Sequence, residues 1–511
     1  MQMILSAGSI LAIVLWGLLA PASLSGFFDE ALVIITKNFG WLYLWVVLGL
    51  VIMAIMLAVS RYGDLKLGTE DDDPEFSIGA WFSMLFAAGM GIGLVFWGVA
   101  EPISHFGAAP PGVAAGTPEA ANAALRYSFF HWGLHPWAVY SIVALSIAFF
   151  QFRRGGAALV STSVEALPWR FAKHISPLVN VLAVIATAFG VAASLGIGAL
   201  QINSGLHAVF GLPLSDASQV GIIVVTTALF LVSAVTGVER GIKWLSSINL
   251  MVAAALAFAV FVLGPTVAII DAFTNTLGSY LSEFVRMSLR MTPFRDSGWV
   301  GGWTVFYWAW WISWSPFVGL FIARVSRGRT IREFVVGTVL APTLAAFVWF
   351  SVFGGTALHM EVWQNVPLAE AVKADVSTAL FTMFNALPMS GLLSGVATVL
   401  VLVFFVTSGD SATLVLGMMS TGGNPDPSSK VKVMWGVLVS GIAISLLLAG
   451  GLKAVQTATI VFALPFTIVV LLMAVSLWRG VGEDWREEQR QEKLLRKRMR
   501  EMSAKQTELG K

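Results

Sequence analysis

Residues 303–319 read Trp-Thr-Val-Phe-Tyr-Trp-Ala-Trp-Trp-Ile-Ser-Trp-Ser-Pro-Phe-Val-Gly, five tryptophans, a tyrosine and a proline in one stretch long enough to enter a membrane. At helical spacing Tyr307, Trp311 and Trp314 share a face, with Trp308 beside them, so indole and phenol rings converge on one point. Aromatic faces attract cations, and quaternary ammonium groups above all, through the ring quadrupole. The alternative is an interfacial aromatic belt. Belts sit at the ends of spans, however, and these rings run through two turns of one segment.

The elements that must position these rings follow from composition. Of 511 residues 57% are hydrophobic and 12% charged, with more apolar runs of about twenty residues than a soluble protein carries. The chain therefore reads as an all-α polytopic membrane protein. Twelve spans are expected, near 3–20, 39–59, 79–100, 127–150, 178–207, 218–236, 246–270, 301–322, 333–355, 389–414, 430–449 and 456–477. The first has no Lys or Arg before it, so it lacks the charged start of a cleaved signal peptide and is expected to stay as a helix. With no cysteine, disulfides and thiol chemistry are excluded. Of 31 Lys and Arg, 24 fall in 60–78, 151–177, 237–245, 323–332, 415–432 and the tail from 478, which predicts that those segments and both termini are cytoplasmic. The net charge of +2 averages over two compartments and says little.

Segment 271–300 alternates Phe273, Leu277, Leu281, Phe284 and Leu289 with Glu283, Arg286 and Arg290, the pattern of an amphipathic helix on the membrane surface. The tail pairs Glu492 with Arg496 at i, i+4 but has no strong apolar stripe, so it reads as a solvated helix. Two spans carry helix breakers: Gly89-Met90-Gly91-Ile92-Gly93 in span three and Ser313-Trp314-Ser315-Pro316 in span eight. Each such glycine costs a helix about 1 kcal/mol, and proline removes a hydrogen bond and clashes one turn back. Both spans are thus expected to be interrupted. If two spans precede two halves of five, these are the first helices of each half, where inverted-repeat transporters keep their broken helices. Gly89 and Gly93 alone would also suit a GxxxG packing face, to which Gly91 adds nothing.

The glycine run followed by Glu101-Pro102, then His131-Trp132-Gly133-Leu134-His135, then the tryptophan stretch ending in Ala323-Arg324, resembles the betaine/choline/carnitine transporters over spans three to ten. The resemblance implies a LeuT-type fold with two inverted five-helix repeats, helices 3–7 and 8–12, after two extra helices, assembled as a homotrimer in the plasma (inner) membrane. The implied division is 1–78, 79–270, 271–300, 301–477 and 478–511. It also implies an aromatic box of Trp132, Tyr140 and Trp311, with Trp314 on the path toward the cytoplasm and Trp137, Trp308, Trp310 and Phe317 at neighbouring aromatic positions. The substrate's other end is expected to be a carboxylate held by backbone N–H groups freed around Gly91, Ile92 and Gly93. Choline-type members carry aspartate at the position matching Gly93. Glycine here favours a zwitterion or nearly neutral onium such as glycine betaine or dimethylsulfoniopropionate.

No nucleotide-binding loop of the GxxxxGK[ST] kind is present, so uphill movement needs a coupling ion. The family's sodium site matches carbonyls of Ala87, Met90 and Phe404 and hydroxyls of Thr407 and Ser408. Adjacent hydroxyls in a membrane helix commonly bond their own backbone, and it is the resemblance that makes them ligands. A second cation position matches at Thr187, but Val191 stands where another threonine is expected. No Lys or Arg occurs in 178–207, whereas carnitine antiporters hold an arginine there. Asp410, one turn after Thr407, is either part of a gate network or a helix-end acid. His131 and His135 have the spacing of a metal pair without a third ligand nearby in sequence, and Glu101 reads as a span-end residue with a structural partner.

The function expected is sodium symport of a zwitterionic onium solute by alternating access, with sodium and membrane lipid as further partners and no cofactor or nucleic acid. Proton-coupled choline or betaine uptake and carnitine-type antiport are alternatives within the class, and a non-transporting ligand sensor is the alternative outside it. A channel is disfavoured because the rings would plug a pore. An enzyme is disfavoured because no nucleophile–base arrangement stands out.

Overall fold

The computed structural model describes residues 2–509 except 90, 237–238 and 295–297; for 87–89, 239–244 and 504–509 only the backbone is described. Along the chain the α-helices are α1 (Gln2–Leu19), α2 (Pro21–Val59), α3 (Ile78–Gly89), α4 (Ile92–Gly107), α5 (Pro118–Trp132), α6 (Leu134–Ala148), α7 (Val160–Glu165), α8 (Ala172–Phe210) and α9 (Asp216–Thr236). They continue as α10 (Glu239–Leu263), α11 (Thr266–Ser288), α12 (Phe306–Arg324), α13 (Ile331–Trp363), α14 (Leu368–Ala374), α15 (Ala379–Asn385), α16 (Ser390–Ser420) and α17 (Ser429–Leu509). Among the described residues ten helical segments are long and apolar enough to cross a membrane, so the chain is an integral, all-helical membrane protein. No β-strand occurs among the described residues, only an isolated bridge between Lys66 and Thr330.

Several helices outrun the expected spans. Pro21 opens α2 at a first helical position, where its fixed φ fits and its missing N–H costs nothing, well before the expected residue 39. The expected span 127–150 begins earlier, at Pro118, and is split at Gly133. Pro136 accounts for the split, because it cannot donate to the Trp132 carbonyl and crowds the turn before it. The amphipathic segment expected at 271–300 forms α11 over 266–288, and its residues 295–297 lie outside the described residues. Spans 430–449 and 456–477 both lie in α17, which kinks at Gly450 and Gly451, the latter at φ 60°, ψ −143°.

Span three is interrupted where the glycines predict. α3 ends at Gly89 and α4 starts after an extended Gly91 at φ −140°, ψ −156°. Span eight is not interrupted at Pro316: α12 runs unbroken from Phe306 to Arg324 after a π-helical turn at Gly301–Val305. The carbonyl that Pro316 deprives of a partner belongs to Ile312, and the Ser315 hydroxyl donates to it at 2.7 Å. A membrane helix tolerates proline when a neighbouring hydroxyl satisfies the freed group.

α12 lies at the centre. Within it only Phe321 and Arg324 are exposed and Trp314 half-buried, the pattern of a helix apolar on all sides. It packs on α6, α8 and α17, while α4 packs on α5, α8 and α13.

Candidate functional site

A cavity of about 730 Å³ opens where the α3–α4 break, α5, α6, α12 and α16 meet. Its lining includes Gly91, Ile92, Gly93, Trp132, Tyr140, Trp310, Trp311, Trp314, Phe404, Thr407, Ser408 and Asp410. Most of the residues singled out from sequence therefore reach one space. Trp308 does not. It is fully buried on another face of α12, stacked on His135 at 5.0 Å and tilted against Phe130, and Trp310 takes the place beside Trp311. Tyr307 also lies outside the lining and stacks with the Trp311 ring at 5.8 Å.

The rings form a corner. Trp132 meets Trp311 edge-on at 4.8 Å and Trp310 at 6.1 Å, Tyr140 meets Trp311 edge-on at 6.1 Å, and Trp310 stacks on Trp311 at 5.0 Å. Near-perpendicular neighbours present several ring faces and edges to one volume, the geometry in which a cation is enclosed. The indoles are pinned from behind. Trp311 Nε1 donates to the His131 carbonyl at 2.9 Å, an acceptor in the last turn of α5, freed where that helix breaks at Gly133. Trp314 Nε1 donates to the Gly190 carbonyl of α8 at 2.6 Å. Trp132 Nε1 donates to Glu101 Oε2 at 2.8 Å.

Gly93 has a packing reason to be glycine. A Cβ there would lie 2.7 Å from the Trp310 ring and 3.1 Å from the Trp132 ring. At the same point α4 begins: its first helical bond is Leu94 N–H to the Gly91 carbonyl at 3.1 Å, so the amides of Ile92 and Gly93 precede the ladder. The positive end of the helix dipole thus faces the cavity. Among the described residues no Lys, Arg or His lines the cavity, and Asp410 is the one acid.

Asp410 stands ten residues before the end of α16 and is not a helix-end acid. Of the hydroxyl pair, Thr407 donates to its own helix, to the Val403 carbonyl at 2.9 Å, as such residues commonly do, which leaves its oxygen lone pairs available. Met90 lies outside the described residues and Ala87 is described only as backbone. Thr187 is buried in α8, away from the cavity lining, with no hydrogen-bond partner for its hydroxyl.

Glu101 is not at a span end. It is fully buried within α4, with Oε1 at 2.7 Å from His131 Nδ1 and 3.2 Å from His105 Nε2, while Trp132 and the Tyr307 hydroxyl donate to Oε2. Glu101, His105 and His131 are grouped closely enough to hold a metal ion. Yet both imidazoles already meet the carboxylate at hydrogen-bond distance, and His131 Nε2 meets Thr304 Oγ1 at 3.0 Å. The His131–His135 spacing does not make a pair: His135 bonds Ser288 Oγ of α11 at 2.9 Å. Sequence reasoning missed this hub because Glu101 and its partner at 131 are thirty residues apart and Tyr307 lies further still.

The model of the betaine/carnitine/choline transporter family matches residues 2–486. The glycine betaine transporter OpuD of Bacillus subtilis is 47% identical over 94% of this chain and 94% of its own. The ectoine/hydroxyectoine transporter of Virgibacillus pantothenticus is 46% identical over 94% and 95%. Glycine betaine transporter 1 of Vibrio parahaemolyticus is 46% identical over 88% and 86%. These matches make the chain a solute transporter rather than an enzyme, and it belongs to the betaine/carnitine/choline transporter family.

Proposed function

We propose that this protein imports a zwitterionic onium solute, such as glycine betaine, ectoine or dimethylsulfoniopropionate, by sodium symport with alternating access. The observation that carries this reading is one cavity that joins an aromatic corner to the amino end of α4, with no basic side chain among its described lining residues. The rings would take the cationic head, at roughly 1–2 kcal/mol per contact once water is excluded, and the free amides of Ile92 and Gly93 the carboxylate. Glycine betaine and ectoine are the substrates in the names of relatives at 46–47% identity.

Sodium, a hard cation, would take the hydroxyls of Thr407 and Ser408 and the carbonyls of Phe404, Ala87 and Met90, with Thr187 at a candidate second cation position. We read α3 and α4 as two pieces of one broken span and α17 as two spans joined at its kink, which brings the ten qualifying segments to twelve helices. Two inverted repeats over 79–270 and 301–477, after two extra helices in 1–78, belong to this proposal. So do a surface helix within 271–300, a cytoplasmic tail from 478, cytoplasmic termini and a homotrimer. The lining also includes Ser246, Ser247 and Val325, which adjoin segments rich in Lys and Arg. On that orientation the conformation is open inward.

The test is uptake of labelled glycine betaine into proteoliposomes with an inward sodium gradient, then with potassium in place of sodium. Accumulation only with sodium is the expected result. Uptake driven by a proton gradient alone overturns the coupling ion, uptake only into preloaded vesicles indicates exchange, and binding without accumulation makes the protein a sensor.

A further inference from the structure

The buried carboxylate of Glu101 sits behind the aromatic corner and touches it twice. Oε2 receives the N–H of Trp132, whose ring lines the cavity, and the O–H of Tyr307, whose ring stacks against Trp311. Tyr307 also meets Trp132 edge-on at 5.7 Å, so both box indoles rest on groups that this one carboxylate fixes. Oε1 is held by His131 of α5 and His105 of α4, and His131 is tied in turn to Thr304 in the turn before α12. One side chain thus sets the relation of α4, α5 and α12 at the point where they supply the rings.

Charge-assisted hydrogen bonds to a carboxylate are about twice as strong as neutral ones, so they fix a ring orientation rather than merely permit it. They also move electron density toward the donor ring, and cation–π attraction depends on the negative potential of the ring face. A polar group behind the rings, out of water, acts at low effective dielectric.

We propose that Glu101 is the positioning residue of the aromatic box: its carboxylate orients the Trp132 indole and the Tyr307 phenol, and through them makes the ring faces a stronger site for an onium head. This rests on the onium reading above. Glu101 never touches the solute, and its effect reaches the cavity only through Trp132 and the Tyr307–Trp311 stack.

The test is a double-mutant cycle on purified protein in nanodiscs, read by tryptophan fluorescence during titration with glycine betaine, together with uptake kinetics. Glu101→Gln is expected to raise Kd and KM about tenfold and to change the maximal rate less than about threefold, with partial recovery in Glu101→Asp. Trp132→Phe keeps a ring without the donor and is expected to weaken binding by a similar factor. Combining Glu101→Gln with Trp132→Phe should add less than about twofold to the larger single loss, since both remove one interaction. Losses that multiply, or a fall in maximal rate at unchanged KM, overturn the proposal. Should Glu101→Gln fail to fold, Tyr307→Phe leaves the histidine contacts intact, and a change in Kd below about twofold overturns the proposal by itself. If wild type binds none of glycine betaine, ectoine and tetramethylammonium, the onium reading itself fails and takes this inference with it. Wild-type binding with multiplied losses defeats only the role of Glu101.

Discussion

Gly93 joins two demands at one residue. The rings of Trp310 and Trp132 leave no room for a Cβ, and its amide stands at the open end of α4. Gly93→Asp is therefore expected to abolish glycine betaine uptake at substrate concentrations that saturate wild type, because the box must spread before any new charge can act. Uptake assays with glycine betaine and with choline decide it, and a simple switch to choline at wild-type rate would show that the packing yields. That Trp311 and Trp314 share a face was legible from helical spacing, while Trp132 and Tyr140, on two helices split at Gly133, were legible as their neighbours only through the family resemblance. Trp308 was not. It and Trp310 flank Trp311 on the helix surface, and only the docking of His135 and Phe130 against Trp308 decides which flank faces the cavity. The hub at Glu101 was hidden for a similar reason, since of its four partners only His105 is on α4 and the others come from α5 and α12.

At the scale of elements, glycine and proline were informative but not equivalent. The glycine run breaks its helix because nothing replaces the lost propensity, whereas Pro316 is absorbed because Ser315 satisfies the Ile312 carbonyl. Ser315→Ala is expected to leave that carbonyl unpaired in a buried helix at a cost of about 1–3 kcal/mol, seen as a lower Tm of the purified protein. An unchanged Tm would mean that α12 is held by packing alone. The split at Gly133 has a use that sequence reading did not foresee: it releases the His131 carbonyl, which the Trp311 indole then takes as its anchor.

For the molecule as a whole, hydropathy revealed the membrane class, and the glycine pair at 450–451 falls between two expected spans, whereas contacts between segments distant in the chain were not legible. One such contact joins the segment after α2, the segment after α6 and the last part of α17. Arg153, at the end of the π-helical turn after α6, reaches Asp484 at 2.8 Å and Glu70 at 3.2 Å and also binds Glu488, while Arg61 lies 4.0 Å over the Trp485 ring. Arg153→Gln is expected to free the helix beyond Trp485 and speed its trypsin cleavage severalfold, and unchanged cleavage would assign the hold to the aromatic contacts alone. The amino end of α4 carries a different consequence. A side chain that recognises a ligand can be lost by one codon change, but the amides of Ile92 and Gly93 have no codon of their own. Selection acting on this chain can readily retune what meets the rings, one tryptophan or tyrosine at a time, while what meets those amides is inherited with the helix itself. Relatives that keep the glycine run but part ways in substrate should therefore differ at the ring end of the cavity.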